Sequence, residues 1–425
     1  MPPIRFIHAA DLHLDAAFSG LSRDIPADFA ERLRTATFTA FRRLLDLCER
    51  ESPDFLLLAG DVYNQEDASV SAQLALRDGF RRLESLSIPV FLVHGNHDPL
   101  ASRLRSVRWP GNVTVFGELP DAVPVFRKGE GTPFAIIHGA SHASGRETRN
   151  LAALFRRTEA CGLHVGLLHA TPGDADGVAR YAPFSQEDLK ASGMDYWALG
   201  HIHDRREVCR EPLAAYPGCT QGLHINEPGE KGCLLVTAEA RSDGGYAVRT
   251  SFRPLGPAVW KTLDMDLGGA ASLDELENRL RTGLDRAAAE VWSGCEMLLV
   301  RLRLQGRTEL DGLLRKGTTC AELADRLRED GNGVPRIWIK DIDVATRPCV
   351  ERGALLERED LLGEVFRLSE AARTASGLQA LREGPLAPLF AHARAGKALE
   401  QLTDEELARL LDDAESLCLD LLEND

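Results

Sequence analysis

The residues of this sequence best suited to metal or acid–base chemistry stand at the ends of short apolar segments. Each segment is predicted to be a β-strand, because it is apolar, short and followed by a polar cluster. Where strands alternate with helices, the carboxyl ends of the strands share one edge of the sheet, and the loops there build the ligand site. We therefore expect convergence of the following side chains: Asp11, His13, Asp61, Asn96, His97, Asp98, His169, His201 and His203.

The types of these side chains select the chemistry. Carboxylates, imidazoles and one amide, with no thiolate among them, suit divalent ions such as Mn²⁺, Fe²⁺ or Zn²⁺. About seven candidate ligands are too many for a single ion that must also bind substrate and water. They suit two ions about 3.5 to 4 Å apart, which can share a carboxylate and a water that ionises near neutral pH. This arrangement predicts hydrolysis of phosphate esters.

The elements that must position these side chains follow an α/β pattern over the first 250 residues. Helix candidates at 28–51 and 69–86 carry their apolar residues on one stripe. Beyond about residue 205, shorter segments with Gly and Pro breaks predict a second, antiparallel layer. The apolar segments before that point span residues 4–10, 54–60, 88–95, 134–140, 164–170 and 195–201.

The pattern changes again at "RPLGPAV", residues 253–259. Beyond it, "ASLDELENRLRTGLDRAAAEV" predicts a helix with Ser272 as its N-cap, and "CEMLLVRLRLQG" alternates like a half-buried strand. A helix at 319–329 and a strand at 336–345 complete a small α/β unit, and the chain from about 351 onward is expected to be helical. The predicted domains are 1–255, 256–348 and 349–425.

Composition narrows the class of protein. With 425 residues, 44% hydrophobic and 27% charged, the chain should fold as a globular protein. Its nine cysteines are scattered and include no Cys-x-x-Cys pair, which argues against a disulfide framework and predicts a reducing cytoplasm. Without a signal-peptide pattern or a run of about 18 apolar residues, neither secretion nor a membrane span is expected. The net charge of −15 argues against a general nucleic-acid-coating surface, although not against a nucleic-acid substrate.

Five short motifs extend this interpretation. "DLH", "GD", "GNHD", "LLHA" and "GHIH", in this order, resemble the motifs of the calcineurin-like metallophosphoesterases. Within that superfamily, "FIHAADLHLD", "LLLAGDVYNQED", "MDYWALGHIH" and "YPGCTQG" resemble the SbcD-type DNA repair exonucleases, and the YhaO branch most of all. The resemblance implies a layered β-sandwich core flanked by helices, a smaller α/β capping domain and a helical C-terminus.

The resemblance also implies a role for each site residue. One metal ion would be bound by Asp11, His13, Asp61 and His203, and the other by Asp61, Asn96, His169 and His201. Asp61 would bridge the two ions. His97 would meet the phosphate, with Asp98 orienting its ring. Mn²⁺ is the expected metal, with Fe²⁺, Zn²⁺ and Mg²⁺ as alternatives, and the expected partners are DNA, an SMC-like coiled-coil ATPase and a second copy of the chain.

Substrate contacts and substrate class are less narrowly defined by the residues. Arg103, Arg105 and Arg108 would either bind a DNA backbone or form a solvated helix face, and His224 is a candidate for contact with substrate or with a ligand residue. The first hypothesis is a two-metal phosphodiesterase acting on DNA ends. The alternatives are a small-molecule phosphoesterase acting on nucleotides or cyclic nucleotides, and a DNA-end-binding scaffold for an ATPase.

Overall fold

The structure is a computed structural model that describes residues 2–21, 25–63, 69–102, 107–173, 180–242, 244–329, 333–349, 351–392 and 403–422. The strands are β1 (Ile4–Ala9), β2 (Phe55–Ala59), β3 (Val90–Val93), β4 (Val113–Val115), β5 (Asp121–Val125), β6 (Ala135–Ala140), β7 (Leu163–His169), β8 (Tyr196–Gly200), β9 (Arg206–Arg210), β10 (Leu213–Tyr216), β11 (Gly232–Ala240), β12 (Tyr246–Pro254), β13 (Ala258–Asp266), β14 (Met297–Thr308) and β15 (Arg336–Pro348). The helices are α1 (Ala27–Arg34), α2 (Ala36–Glu51), α3 (Val70–Ser85), α4 (Gln186–Ala191), α5 (Leu273–Glu290), α6 (Asp311–Leu314), α7 (Thr319–Glu329), α8 (Arg352–Leu356), α9 (Leu361–Ala372), α10 (Ala375–Glu383), α11 (Ala387–Ala391) and α12 (Asp404–Leu422), with a 3₁₀ turn at Ala152–Leu154.

Two six-stranded sheets carry the candidate site. The first has the order β12-β11-β1-β2-β3-β4, in which β1 to β4 run parallel and β11 and β12 pair antiparallel. The second has the order β5-β6-β7-β8-β10-β9, with parallel pairing from β6 to β10 and an antiparallel strand at each edge. The six apolar segments are thus divided between two sheets. The prediction of a separate antiparallel layer after residue 205 is wrong, because β9 and β10 join the second sheet and β11 and β12 join the first.

The two sheets pack face to face, and helices cover the outer face of each. Strand β2 shows why its sequence is apolar at every position. Phe55 and Leu57 are buried between the sheets, near Leu167 of β7, whereas Leu56 and Leu58 are buried on the opposite face under α2 and α3. A strand covered on both faces has no polar side. Each fully buried side chain of this kind contributes about 1.5–3 kcal/mol, so the core holds the strand ends firmly in place.

The third sheet has the order β13-β14-β15. The helices α5 and α7 begin and end close to their predicted bounds. Helix α5 begins where expected, with Ser272 Oγ accepting a hydrogen bond from the backbone N–H of Glu275 at 3.2 Å. Helix α7 has the predicted bounds. One predicted helix is interrupted: the segment 28–51 forms α1 and α2, which are separated at Thr35.

The chain divides into two compact units. The first comprises Met1–Leu267, Ser272–Gln305 and Leu313–Ala345, and the second comprises Gly268–Ala271, Gly306–Gly312 and Thr346–Asp425. The expected boundary at residue 255 falls inside the first unit, and the expected boundary at 349 lies near the start of the last segment of the second. The three-domain division stays a prediction. Among the described helices, none combines the length and apolar character needed to cross a membrane.

Candidate metal centre

The candidate ligands lie where strands of both sheets end, and four of them have an unusual backbone. Asp11, His13, Asp61 and His201 have φ angles of 50°, 39°, 50° and 103°. Non-glycine residues rarely adopt this left-handed region, and such strain is maintained mainly at functional sites by the packing around them. The buried strands β1, β2 and β8, which end just before these residues, provide that packing.

Two glycines explain how the loops approach one another so closely. A Cβ added to Gly95 would lie 2.2 Å from Oδ1 of Asp61, and a Cβ added to Gly200 would lie 1.8 Å from the carbonyl oxygen of Ala59. Both distances are far below van der Waals contact, so only glycine fits either position. The glycines of "GNHD" and "GHIH" are therefore required by the packing of the site.

The first ligand group joins the end of β1 to the loop after β8. Ligand atoms of Asp11, His13 and His203 all lie within 4.8 Å of one another. The Nε2 atoms of His13 and His203 are 3.2 Å apart, and Nε2 of His203 is 3.9 Å from Oδ1 of Asp11. Asp11 is further fixed by the backbone N–H of His201, which donates to its carboxylate at 3.0 Å.

The second ligand group joins β2, β3, β7 and β8. Ligand atoms of Asp61, His169 and His201 lie within 4.8 Å of one another. Oδ1 of Asn96 stands between the two imidazoles, 3.0 Å from Nε2 of His169 and 3.2 Å from Nδ1 of His201. The structure thus brings together the four side chains expected to bind the second ion.

Asp61 belongs to the second group and also faces the first. Its Oδ2 atom is 4.0 Å from Nε2 of His13 in the first group and 3.4 Å from Nε2 of His169 in the second. Its other oxygen, Oδ1, accepts a hydrogen bond from the backbone N–H of His97 at 2.9 Å. One oxygen is therefore occupied by the protein, and the other faces both sets of imidazoles, as a bridging ligand requires.

The hydrogen bonds of His169 show that these residues fit a cation. Its Nδ1–H donates to the carbonyl oxygen of Ala59 at 2.9 Å, which leaves a lone pair on Nε2. That lone pair faces oxygen acceptors of Asp61 and Asn96. Burial lowers the pKa of His169, but the carboxylates of Asp61 and Asp11 outweigh burial and raise the pKa to about 9. The site therefore stabilises positive charge, whether a proton or a metal ion carries it.

His97 and Asp98 follow the candidate ligand Asn96 but occupy different environments. His97 is exposed, and its ring packs edge-on against His13 with centroids 5.2 Å apart, so it can contact a substrate above the ligands. The expectation that Asp98 orients the His97 ring is not met in the described part of the chain. Buried Asp98 instead accepts the backbone N–H of Val62 at 3.0 Å and that of Gly95 at 2.7 Å, and thereby ties the loop after β2 to the loop after β3.

The structure describes only some of the predicted substrate-binding residues. Arg103 and Arg105 lie outside the described residues. Arg108 is exposed. Nε2 of His224 is 3.3 Å from Oε1 of Glu227, which places His224 beside a group that contacts a candidate ligand. Its predicted role in contacting substrate or a ligand residue stays a prediction.

Sequence reasoning missed Glu227. This buried carboxylate hydrogen bonds to Nδ1 of His203, and with Cys219 the pair forms a third cluster of potential ligand atoms within 4.8 Å. Burial opposes its charge, but His203 holds the pKa of Glu227 down at about 2. The available signal was its position in "LHINEPGEKG", directly after the family-like "YPGCTQG" segment.

Comparison with known proteins agrees with this geometry. Residues 4–205 match the family described as calcineurin-like phosphoesterase, and residues 260–347 match the middle domain of metallophosphoesterase YhaO. The metallophosphoesterase YhaO of Bacillus subtilis is 34% identical over 388 residues, which cover 90% of this chain and 91% of that protein. The DNA double-strand break repair protein Mre11 of Aeropyrum pernix is 26% identical over 315 residues, covering 68% of this chain and 69% of that protein.

A comparison with solved structures gives weaker similarity. A dimetal phosphatase from Danio rerio shares 13% identity, with a TM-score of 0.33 over 59% of this chain and 99% of that one. The sequence similarity to YhaO covers most of both proteins, and the match to the calcineurin-like family spans residues 4–205, which contain both ligand groups. The chain belongs to the calcineurin-like metallophosphoesterases, a family of metal-dependent phosphoester hydrolases.

Proposed function

We propose that this protein is a metal-dependent nuclease that hydrolyses phosphodiester bonds at DNA ends, with Mn²⁺ as its metal. The observation that carries the proposal is the position of Asp61, whose Oδ2 faces imidazoles of both ligand groups, beneath the exposed ring of His97. The similarity to a DNA double-strand break repair protein supports DNA as the substrate.

The residues that would hold the ions are those of the two groups. Asp11, His13 and His203 would bind one ion, Asn96, His169 and His201 the other, and Asp61 both. When bound, two divalent ions would polarise phosphoryl oxygens and lower the pKa of a water molecule, so that it loses a proton to solvent near neutral pH and the hydroxide can attack phosphorus. Asn96 contributes an oxygen ligand without the additional negative charge that would repel a phosphodiester.

His97 acts on the substrate rather than on the ions. Its backbone N–H is bonded to Asp61, so the residue is anchored to the centre while its side chain remains exposed. From this position the imidazole donates a hydrogen bond to a phosphoryl oxygen or a proton to the leaving oxygen. Because its neighbour His13 is buried, His97 is the imidazole of this pair that a phosphate can approach.

The test is cleavage of uniformly labelled linear duplex DNA, with a covalently closed circle of the same sequence, labelled in the same way, as the matched substrate. We expect Mn²⁺-dependent release of label from the linear DNA only. His97→Ala should lower the rate by about 10²- to 10⁴-fold, as for loss of a proton-transfer group, and Asp61→Ala should abolish it. Asp264→Ala, which removes an exposed aspartate on β13, is the control and should retain the wild-type rate.

Three outcomes would overturn the proposal. Full activity of Asp61→Ala would refute the site. Turnover of bis-p-nitrophenyl phosphate without cleavage of DNA would identify a small-molecule phosphoesterase. Stable binding to DNA ends with no cleavage under any divalent metal would identify a scaffold.

Assembly with an SMC-like coiled-coil ATPase and a homodimeric core stay predictions from the family resemblance. Light scattering of the purified chain, with and without linear DNA, measures its molar mass and so tests the homodimer directly. A monomeric mass at micromolar concentration would contradict it.

A further inference from the structure

We propose that Glu227 is a positioning residue of the metal centre, which fixes the ring of His203 so that its Nε2 atom faces the first ion. The inference rests on the two-ion site proposed above and goes beyond it, because it assigns a role to a residue outside the ligand groups. It is argued from the contacts on both sides of the His203 side chain and from the anchoring of the loop that carries Glu227.

The Glu227 carboxylate has both oxygens engaged. Oε1 accepts the Nδ1–H of His203, and Oε2 accepts the backbone N–H of Leu223 at 2.6 Å. The second bond prevents the carboxylate from rotating away from the imidazole. A carboxylate that is itself held in place can hold the ring it binds.

This contact decides which nitrogen of His203 is free. An imidazole that donates from Nδ1 keeps its lone pair on Nε2. Nε2 of His203 lies 3.2 Å from Nε2 of His13 and 3.9 Å from Oδ1 of Asp11, which is where the first ion would bind. Without Glu227, the ring would be free to take the other tautomer or to turn, and either change removes a ligand from this ion.

The backbone of His203 is held from the same loop. Nζ of Lys231, which is buried, donates to the carbonyl oxygen of His203 at 3.0 Å and to Oδ1 of Asp204 at 2.9 Å. The backbone N–H of Cys219 also donates to the His203 carbonyl, at 3.3 Å. Side chain and main chain of this one ligand are therefore both fixed by the segment 219–231.

That segment is anchored in turn to β13. Buried Gln221 donates to the carbonyl oxygen of Ala258 at 2.8 Å and accepts its N–H at 3.1 Å. Nε1–H of Trp260 donates to the carbonyl oxygen of Gly222 at 3.0 Å. Strand β13 contributes no residue to the two ligand groups formed by the described residues, yet it fixes the loop that positions one of the ligands.

The test measures Mn²⁺ binding by calorimetry in the absence of DNA, so that it does not depend on which substrate the enzyme cleaves. In Glu227→Ala, we expect one of the two bound ions to lose about 10- to 100-fold in affinity, the range seen when such supporting partners are removed. The second ion should be affected much less. Glu227→Gln keeps an oxygen acceptor for Nδ1–H but loses the charge, so it should show a smaller loss than Glu227→Ala.

Asp195→Asn is the matched control. Asp195 likewise accepts a backbone N–H, from His164 at 2.8 Å, and pairs with Arg157, but it contacts no candidate ligand among the described residues. It should bind Mn²⁺ as the wild type does. Thermal unfolding of each variant identifies loss of fold, and Glu227→Gln carries the test if Glu227→Ala does not fold.

Wild-type affinity for both ions in a folded Glu227→Ala, or in Glu227→Gln if only that variant folds, would overturn the inference. Equal losses at both ions would overturn it as well, because they would indicate general disruption rather than positioning of His203. The two proposals can fail separately. If the wild type does not cleave DNA, the proposed nuclease function fails. If the Glu227 variants still lose affinity for one ion, the positioning role stands.

Discussion

Replacing Gly95 with alanine tests the geometry of the metal centre with the addition of a single methyl group. The new Cβ would lie 2.2 Å from Oδ1 of Asp61 and 2.8 Å from Cδ2 and Nε2 of His169. To reach 3.0 Å, Oδ1 must move by about 0.8 Å, and that movement breaks its hydrogen bond from the His97 N–H. Because Oδ1 and Oδ2 belong to one rigid carboxylate, Oδ2 must then leave its position between the two imidazole groups.

A misplacement of this size costs about 100-fold in rate, which corresponds to about 2.7 kcal/mol. We expect that loss for Gly95→Ala in the hydrolysis of bis-p-nitrophenyl phosphate at saturating Mn²⁺, together with weaker Mn²⁺ binding. Gly131→Ala is the control, because nothing lies within 4 Å of the Cβ it would add. A Gly95→Ala protein that hydrolyses the substrate within twofold of the wild-type rate would refute the assigned position of Asp61.

Two further predictions concern Asp98 and His169. Asp98→Asn places an amide NH₂ against one of two backbone donors, the N–H of Val62 or of Gly95. We expect the free energy of unfolding, measured by urea denaturation, to fall by about 1–3 kcal/mol. A change below about 0.5 kcal/mol would contradict the described role of Asp98. The pKa of His169 is about 9 in the folded protein against 6.5 when unfolded, so its contribution to stability is fully present below pH 6.5 and is lost as the pH rises through 9. The urea midpoint of chelator-treated protein should therefore fall over that range, and this part of the fall should be absent in His169→Asn; superimposable pH profiles of the two proteins would argue against a charged His169.

Much of the site could be predicted because its signals are local. A polar residue in the last positions of an apolar strand or shortly after it is identified by position alone, and Asp11, Asp61 and His169 are identified in this way. The N-cap Ser272 and the bounds of α7 are also local features. The interruption of the long helix at Thr35 has no comparable signal in its apolar pattern, which continues across the break between α1 and α2.

The roles of carboxylates were harder to predict because they depend on contacts distant in sequence. Asp98 stands next to His97 in the chain, but its oxygens accept N–H groups of Val62 and Gly95. Glu227 belongs to no metal motif, and it acts on a histidine 24 residues away. Neither contact follows from the spacing of residue types.

By itself, the sequence determined the family to which the chain belongs, the kinds of side chain that are candidate ligands and their placement at strand ends. Local residue patterns are sufficient for this, because a strand end and a motif each lie within a few consecutive residues. Only the tertiary structure decided that the strands divide between two sheets and that Oδ2 of Asp61 faces both ligand groups. A strand buried on both faces is equally apolar in either sheet, so its sequence does not specify its neighbours, and the packing of the whole core does.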